Sequence, residues 1–448
     1  MIAHTVGHPD LSAQWLIPLL VHRVLALPSS KRPLRSGALL GLVVALGVGI
    51  GEEIVFLTFI GLTVVCLVWA AIRPRHPVAP ALKLNLRKSA VAALAVAVPL
   101  LAYPLWFQFY GTQSYFGSPW APSRYPANLE SYLYYSPFSW GGSTSTIAGL
   151  TPGPNEATAY LGIPVLVVTL AIVVWRRSDP RMRTAAYAAV VLVFCSLGVR
   201  PAFGALTLLP GSPWSLLVHL PIVNESLPVR LSFDVFPLVA YILVAGVSEA
   251  AKRSRAAAWG AGIAVAAVLA PMVPSPLAVQ DRVPTPAFFS AGLWRRCMPS
   301  GGTLFAFPFG EPLMQFATTA RDEFPIVSGP HLGPATGTHA VGWPATHPTQ
   351  ALLTRVDDSG VVPAVTARVR SQAAADLAYW GASCIALDAP GTSYAGQSVP
   401  AVASSPVKHP AADLRLLTEL FGAPKLSGGM WTWQVRNDRT SSSCTLQK

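Results

Sequence analysis

The sequence predicts an α-helical polytopic membrane domain followed by a small soluble α/β domain. Three observations predict it. Long apolar runs crowd residues 11–275, short basic clusters fall in alternate gaps between them, and residues 281–448 return to the mixed composition of a globular chain. Over all 448 residues, 52% are hydrophobic and only 12% charged, where an ordinary soluble domain carries about 25% charged residues.

A membrane helix needs about 20 mostly apolar residues. The runs that qualify, some of them short, are 11–27, 37–50, 54–72, 89–107, 159–175, 184–199, 231–249 and 256–273, which makes about eight spans. A single helix over 37–72 would be about 54 Å long, too long for a hydrocarbon core of about 30 Å. It must break near its centre, and Gly49, Gly51, Glu52 and Glu53 mark the place. Glycine loosens a helix and carboxylates seek water.

Lys31, Arg32 and Arg35 follow the first run. Arg73, Arg75, Lys83, Arg87 and Lys88 follow the third, Arg176, Arg177, Arg181 and Arg183 the fifth, and Lys252, Arg253 and Arg255 the seventh. Because these are alternate gaps, all four clusters can face the cytoplasm together. The expected location is the plasma membrane, multi-pass, with residues 1–10, the Glu52–Glu53 turn, loop 108–158, loop 200–230 and the soluble domain outside. The net charge of +12 is then topology-setting charge against the lipid bilayer, and no nucleic-acid partner is expected. Residues 1–10 lack a basic leader region, and the first run contains His22 and Arg23, so no secretory signal peptide is expected.

The membrane domain is expected over 1–275, with a long outer loop at 108–158 that is rich in Tyr, Trp and Pro. Such a loop reads either as an interfacial aromatic belt or as a platform over a lipid-linked substrate. The soluble domain, 281–448, shows apolar strands at 303–307, 383–388 and 430–435. Helical stretches alternate with them at 311–323, 347–358, 366–380 and 411–421. That alternation predicts a small parallel or mixed sheet. No Walker, GxSxG or HExxH sequence is present.

Candidate chemistry gathers at the outer ends of the helices. Glu52 and Glu53, with His8 and Asp10, read either as a solvated turn or as a catalytic carboxylate set. Such a set can act as general base on an acceptor hydroxyl, or hold a divalent cation against a diphosphate. Arg230 either binds a lipid phosphate as a charge-assisted fork or pairs with Glu225. Arg124 offers a second cation, and Trp106 and Tyr110 supply aromatic surface where the fourth run emerges. His331, His339 and His347 match no common zinc spacing, so no metal site is expected. Cys66 and Cys195 lie in apolar runs and should simply pack there. Cys297 and Cys384 are expected to be bonded. If the strands at 303–307 and 383–388 are parallel neighbours, both cysteines fall at one end of the sheet, in a compartment that permits the bond.

Several segments then carry a resemblance: GEEIVFLTFIGL, LLAYPLWFQFYGTQSYFG, FPFGEP, DLAYWGASCIALD and GGMWTWQVR. They resemble actinobacterial polytopic membrane proteins of the GT-C glycosyltransferase-like, or YfhO-like, group. The resemblance implies a transferase that takes a sugar from a polyprenyl-phosphate donor at the outer face. It also implies a soluble outer domain at the carboxy terminus. Members of that group place an essential acid in the first outer loop, and relatives carry further helices, and that loop, ahead of the segment equivalent to 4–27. That acid has no matched position here, and Glu52 and Glu53 stand in for it by location alone. The competing expectations are a transporter of a lipid-linked precursor and a non-catalytic or truncated envelope protein.

Overall fold

All eight apolar runs are helical. The computed structural model describes residues 8, 10–73, 80–112, 114–117, 125–143, 145, 149–153, 156–220, 223, 226–276, 285–298, 302–307, 309, 311–327, 333–334, 341–342, 346–389 and 407–435. They fall into two units, Met1–Leu277 and Ala278–Lys448.

The first unit contains α1 (Leu16–Ala26), α2 (Pro33–Ile72), α3 (Pro80–Tyr110), α4 (Ile163–Trp175) and α5 (Pro180–Ser196). A two-residue hairpin pairs β1 (Ala202–Phe203) with β2 (Leu206–Thr207). The helical turn α6 (Pro213–Leu217) follows, then α7 (Ser232–Arg253) and α8 (Arg255–Leu269). Local chemistry sets several helix starts. Proline stands in the first turn of α2, α4 and α5, where its missing N–H costs nothing. Asp179 accepts from Arg181 N to cap α5, and Ser254 accepts from Ala257 N to cap α8. Among the described residues, four helical stretches are long and apolar enough to cross a membrane: Pro33–Ile72, Leu82–Tyr110, Pro228–Arg253 and Arg255–Met272. Leu16–Ala26 and Ile163–Trp175 are shorter apolar helices.

α2 breaks at Gly51, whose φ of −171° and ψ of 94° are not helical. The break is a sharp turn. A Cβ on Gly47 would lie 2.6 Å from the Val55 side chain, whereas residues eight apart on a straight helix are separated by about 12 Å of axial rise. The first half of α2 lies along α3 in the same direction, because Gly37 abuts Ser89 and Gly41 abuts Ala93. A Cβ would meet backbone oxygens at 2.1 and 2.3 Å there. The two backbones approach this closely only because both positions are glycine. The second half of α2 runs back beside α7, with Glu53 at Arg230 and Gly61 at Asp234.

These contacts sort the unit into two ends. At one end Gln108 meets Glu52, Ala127 N bonds to Ser196 O, Gly162 N bonds to Tyr132 O, and Val229 N bonds to Tyr125 O. At the other, Ser89 Oγ bonds to Pro33 O and Arg176 pairs with Asp179 and Glu249. Arg253 lies 4.7 Å from the centroid of the Trp175 ring at this second end. The core between them is built from residues such as Leu16, Ile54, Leu57, Leu192, Trp214 and Leu231, all fully buried. α8 buries none of its residues and α3 keeps Leu94, Val98, Tyr103 and Trp106 more than half exposed, an apolar surface suited to lipid rather than water.

The second unit is a mixed sheet with helices on both faces. Its elements are α9 (Ala287–Ser290), β3 (Thr303–Phe307), α10 (Glu311–Thr319), a small hairpin of β4 (Gly333–Pro334) and β5 (Val341–Gly342), α11 (Pro348–Ser359), α12 (Ala367–Trp380), β6 (Ala382–Asp388), α13 (Pro410–Phe421), β7 (Lys425–Ser427) and β8 (Met430–Gln434). The main sheet has the order β3-β6-β8-β7, with β3 parallel to β6 and the other pairs antiparallel. β6 reads ASCIALD without polar alternation because every residue in it is buried, as befits a strand covered on both faces. Successive side chains alternate between two cores. Leu304, Ala306, Cys384 and Ala386 face Phe288, Phe289, Phe316 and Phe324, while Phe305, Phe307, Ile385 and Leu387 face Leu353, Val356, Leu377 and Leu417. Cys297 and Cys384 are disulfide-bonded, with Cα atoms 5.5 Å apart. His331 and His339 lie outside the described residues.

Candidate functional site

Arg230 sits in a 3-10 turn, Pro228–Leu231, that leads into α7. The turn starts at a proline and carries the side chain back over the end of the bundle. There it is met from three other places in the sequence. Its Nε donates to Glu156 Oε2 at 3.0 Å and its Nη2 donates to Glu156 Oε1, so Glu156 takes one whole edge of the guanidinium. Nη1 donates to Glu53 Oε2. His8 Nε2 lies 3.4 Å from Arg230 Nη2 and 3.6 Å from Glu156 Oε1.

Burial is graded across this cluster. The Glu156 side chain is 5% exposed and that of Arg230 9%, while Glu53 is 23% and His8 39% exposed. Removing an arginine and two carboxylates from water is costly unless they satisfy one another, and here the guanidinium is forked onto both acids. The segment 156–162 is held down by neighbouring bonds. Ser232 Oγ donates to Thr158 Oγ1 at 3.1 Å, and Ser131 Oγ donates to Ala159 O at 2.8 Å. Tyr160 is buried beside Tyr134 and Phe138. Tyr132, bonded to Ser196 at 2.8 Å, is completely buried, which raises its phenol above the ordinary range.

Of the residues singled out in the sequence, His8, Glu53 and Arg230 come together. Glu52 is on the neighbouring face, exposed, where it accepts from Gln108 Nε2 at 2.8 Å. Trp106 and Tyr110 are 56% and 75% exposed on α3 and do not join the cluster. Asp10 begins a 3-10 turn, Asp10–Ser12, close to His8 in the chain. Arg124 and Glu225 lie outside the described residues, and the carboxylates on Arg230 are Glu53 and Glu156. The residue missed is Glu156. Its signal is faint: it is one of two carboxylates in loop 108–158, and it stands three residues before the apolar run 159–175. One turn into α7, Asp234 is buried against Gly61, where a Cβ would come within 2.6 Å of Asp234 Cγ.

In the second unit, Asp376 is buried and accepts from Thr349 N, Thr349 Oγ1 and Gln372 Nε2, with His347 Nδ1 at 3.2 Å. Although burial opposes it, these bonds hold the Asp376 carboxyl below the usual carboxylate range. Thr349 lies in the first turn of α11, so the network ties that helix start to α12. Among the described residues no cluster of His, Cys, Asp and Glu is arranged to hold a metal ion.

No curated protein and no solved structure matches the chain. A family model described as a domain of unknown function, DUF6311, matches residues 1–273. That stretch contains every member of the Arg230 cluster and stops close to the boundary between the two units. Covering well over half of the 448 residues, the match makes this chain a member of the DUF6311 family.

Proposed function

We propose that this protein is a multi-pass plasma-membrane transferase of the GT-C type. In this reading it moves a sugar from a polyprenyl-phosphate donor at the outer face of the membrane. The observation that carries the reading is the convergence of His8, Glu53, Glu156 and Arg230, from four separate segments, at one end of an apolar helical bundle. A polyprenyl tail stays in the bilayer, so its phosphate lies at headgroup level, where the helices emerge. Ionisable groups held at that level are costly to keep and are of the kind that phosphate and sugar chemistry require.

Two further observations support the orientation. The described basic residues around Arg35, Lys88, Arg176 and Arg253 belong to the end opposite the Arg230 cluster, as the positive-inside rule demands of a cytoplasmic end. The Cys297–Cys384 disulfide suits an oxidising, extracytoplasmic compartment for the second unit. In this reading α2 counts as two spans across Gly51, and the shorter apolar helices Leu16–Ala26 and Ile163–Trp175 count as spans with the rest, giving eight with both termini outside.

The direct test is transfer in membrane vesicles from cells producing the full chain, supplied with radiolabelled polyprenyl-phosphate sugar. Glu52→Gln and Glu53→Gln should lower transfer by about 10²–10⁴-fold, the usual loss on removing a general base, with expression unchanged. His331→Ala should have little effect. Transfer at the wild-type rate by the double Gln variant contradicts the assignment.

A further inference from the structure

Between Arg200 and Glu225 the chain carries no Asp, Glu, Lys or Arg, and His219 is its one titratable side chain. This segment joins the end of α5 to the turn that holds Arg230, so it lies at the Arg230 end of the bundle. It is fixed in place. Asn128, which caps the 3-10 turn Leu129–Leu133, donates from Nδ2 to Gly204 O at 2.8 Å and accepts from Gly204 N at 2.9 Å, pinning the tip of the β1–β2 hairpin. Ser212 caps α6, and Trp214 is fully buried in the same core as Val229 and Leu231, the neighbours of Arg230. Leu217 and Val218 pack against that core as well. The outward side is apolar too. Leu216 is 81% and Leu206 65% exposed, and Phe203, Leu208, Leu209 and Leu220 are each exposed by more than a third.

An ordered segment that is apolar on both sides marks a membrane or protein contact rather than a wetted loop. We propose that residues 203–220 form an interfacial anchor, in which Leu206, Leu209, Leu216 and Leu220 insert among the acyl chains of the leaflet at the Arg230 end. Two constraints set its depth. Without charged groups, its side chains enter hydrocarbon free of the cost that ionised residues carry there. Its backbone, in contrast, consists of two-residue strands and a five-residue helix, and a helix that short leaves most of its N–H and C=O groups without intrahelical partners. Those groups need water, so the main chain stays at headgroup level and only the side chains reach below it. Lipid is the occupant because the segment ends a few residues before Pro228, where the membrane-crossing stretch Pro228–Arg253 begins. The leucines thus continue a surface that already meets acyl chains. Because the anchor shares its core with the turn of Arg230, its depth in the leaflet fixes the depth of the Arg230 cluster. The proposal rests on the membrane reading of the bundle, and neither on the transferase reading nor on which end faces outward.

The test is the accessibility of a nitroxide label on the full chain in phosphatidylcholine nanodiscs. In a Cys66→Ser, Cys444→Ser background, Cys195 is buried and Cys297 and Cys384 are bonded to each other. The label then reports one introduced cysteine at a time: Leu206→Cys, Leu209→Cys or Leu216→Cys. Folding of each variant is checked by its thermal unfolding. Leu94→Cys on the exposed apolar side of α3 is the lipid standard, and Arg415→Cys on the exposed side of α13 is the water standard. Power saturation gives the ratio of collisions with oxygen, which concentrates in lipid, to collisions with a water-soluble nickel chelate. At all three leucine positions this ratio should exceed that at Arg415 and match that at Leu94. A ratio equal to that at Arg415 places the leucines in water and overturns the anchor. Few collisions with either reagent mean that protein covers the leucines, whether the second unit or another copy of the chain, and overturn the lipid assignment. If Leu94 itself collides mainly with the nickel chelate, the membrane reading of the bundle falls, and the anchor with it.

Discussion

Arg230 is the residue on which the candidate site turns. Truncating it leaves Glu156 buried without its counter-charge, and breaking a buried pair from one side costs about 3–5 kcal/mol. Arg230→Ala should therefore lower the thermal unfolding temperature of the detergent-solubilised protein markedly. Truncating the exposed Arg415, which pairs with Glu419 four residues along α13, should cost only about 0.5 kcal/mol of stability and lower that temperature far less. Equal effects of the two would mean that the Arg230 fork is not formed. In the second unit, Asp413 is fully buried in the first turn of α13 and is pushed up to about 8 by burial and by the charge of neighbouring Asp357. Asp357 in turn accepts from Lys408 N and His409 N. The folded protein thus keeps the Asp413 proton up to about pH 8, while the unfolded chain releases it near the ordinary 3.8. From this group, stability is highest below pH 4 and declines until pH 8. Asp413→Asn should flatten that decline, measured as the fall in unfolding temperature between pH 5 and pH 8. An unaltered fall in the variant would remove Asp413 from this role.

At the scale of elements, much was legible because burial writes a pattern into the sequence. The apolar runs became helices, and the break expected near Gly49–Glu53 occurs at Gly51. The strand at 303–307 and the buried strand around 383–388 lie side by side in parallel, as the pairing of Cys297 with Cys384 requires. What was not legible depends on tertiary context. β7 (Lys425–Ser427) is short, polar and at an edge, so nothing in its composition marks it. α1 begins at Leu16 rather than at 11, since residues 10–12 form a 3-10 turn over the core. Glu156 lies in a loop where aromatic residues dominate, and its partner is 74 residues away; no local spacing rule reaches that far. The sharp turn at Gly51 is itself testable. Cysteines replacing Gly47 and Val55 should form a disulfide on mild oxidation, because the two positions touch in the structure. In an unbroken helix the pair would be about 12 Å apart, beyond the roughly 7 Å limit for a disulfide, and no cross-link would appear.

At the scale of the whole molecule, the account depends on which end of the first unit faces outward. The helix directions place the residues around Arg35, Lys88, Arg183 and Arg255 at one end, and Glu52, Gln108 and Arg230 at the other. If the basic end is cytoplasmic, the Arg230 cluster meets the outer headgroups, where a lipid-linked donor can reach it. If the orientation is reversed, the same cluster faces the cytoplasm, and the transferase reading loses its substrate. The measurement that decides this is a set of reporter fusions along the chain in living cells. Fusions after Arg35, Lys88, Arg183 and Arg255 should report the cytoplasm, and fusions after Gly111 and Pro286 should report the outside. A cytoplasmic signal after Gly111 or Pro286 would contradict the account.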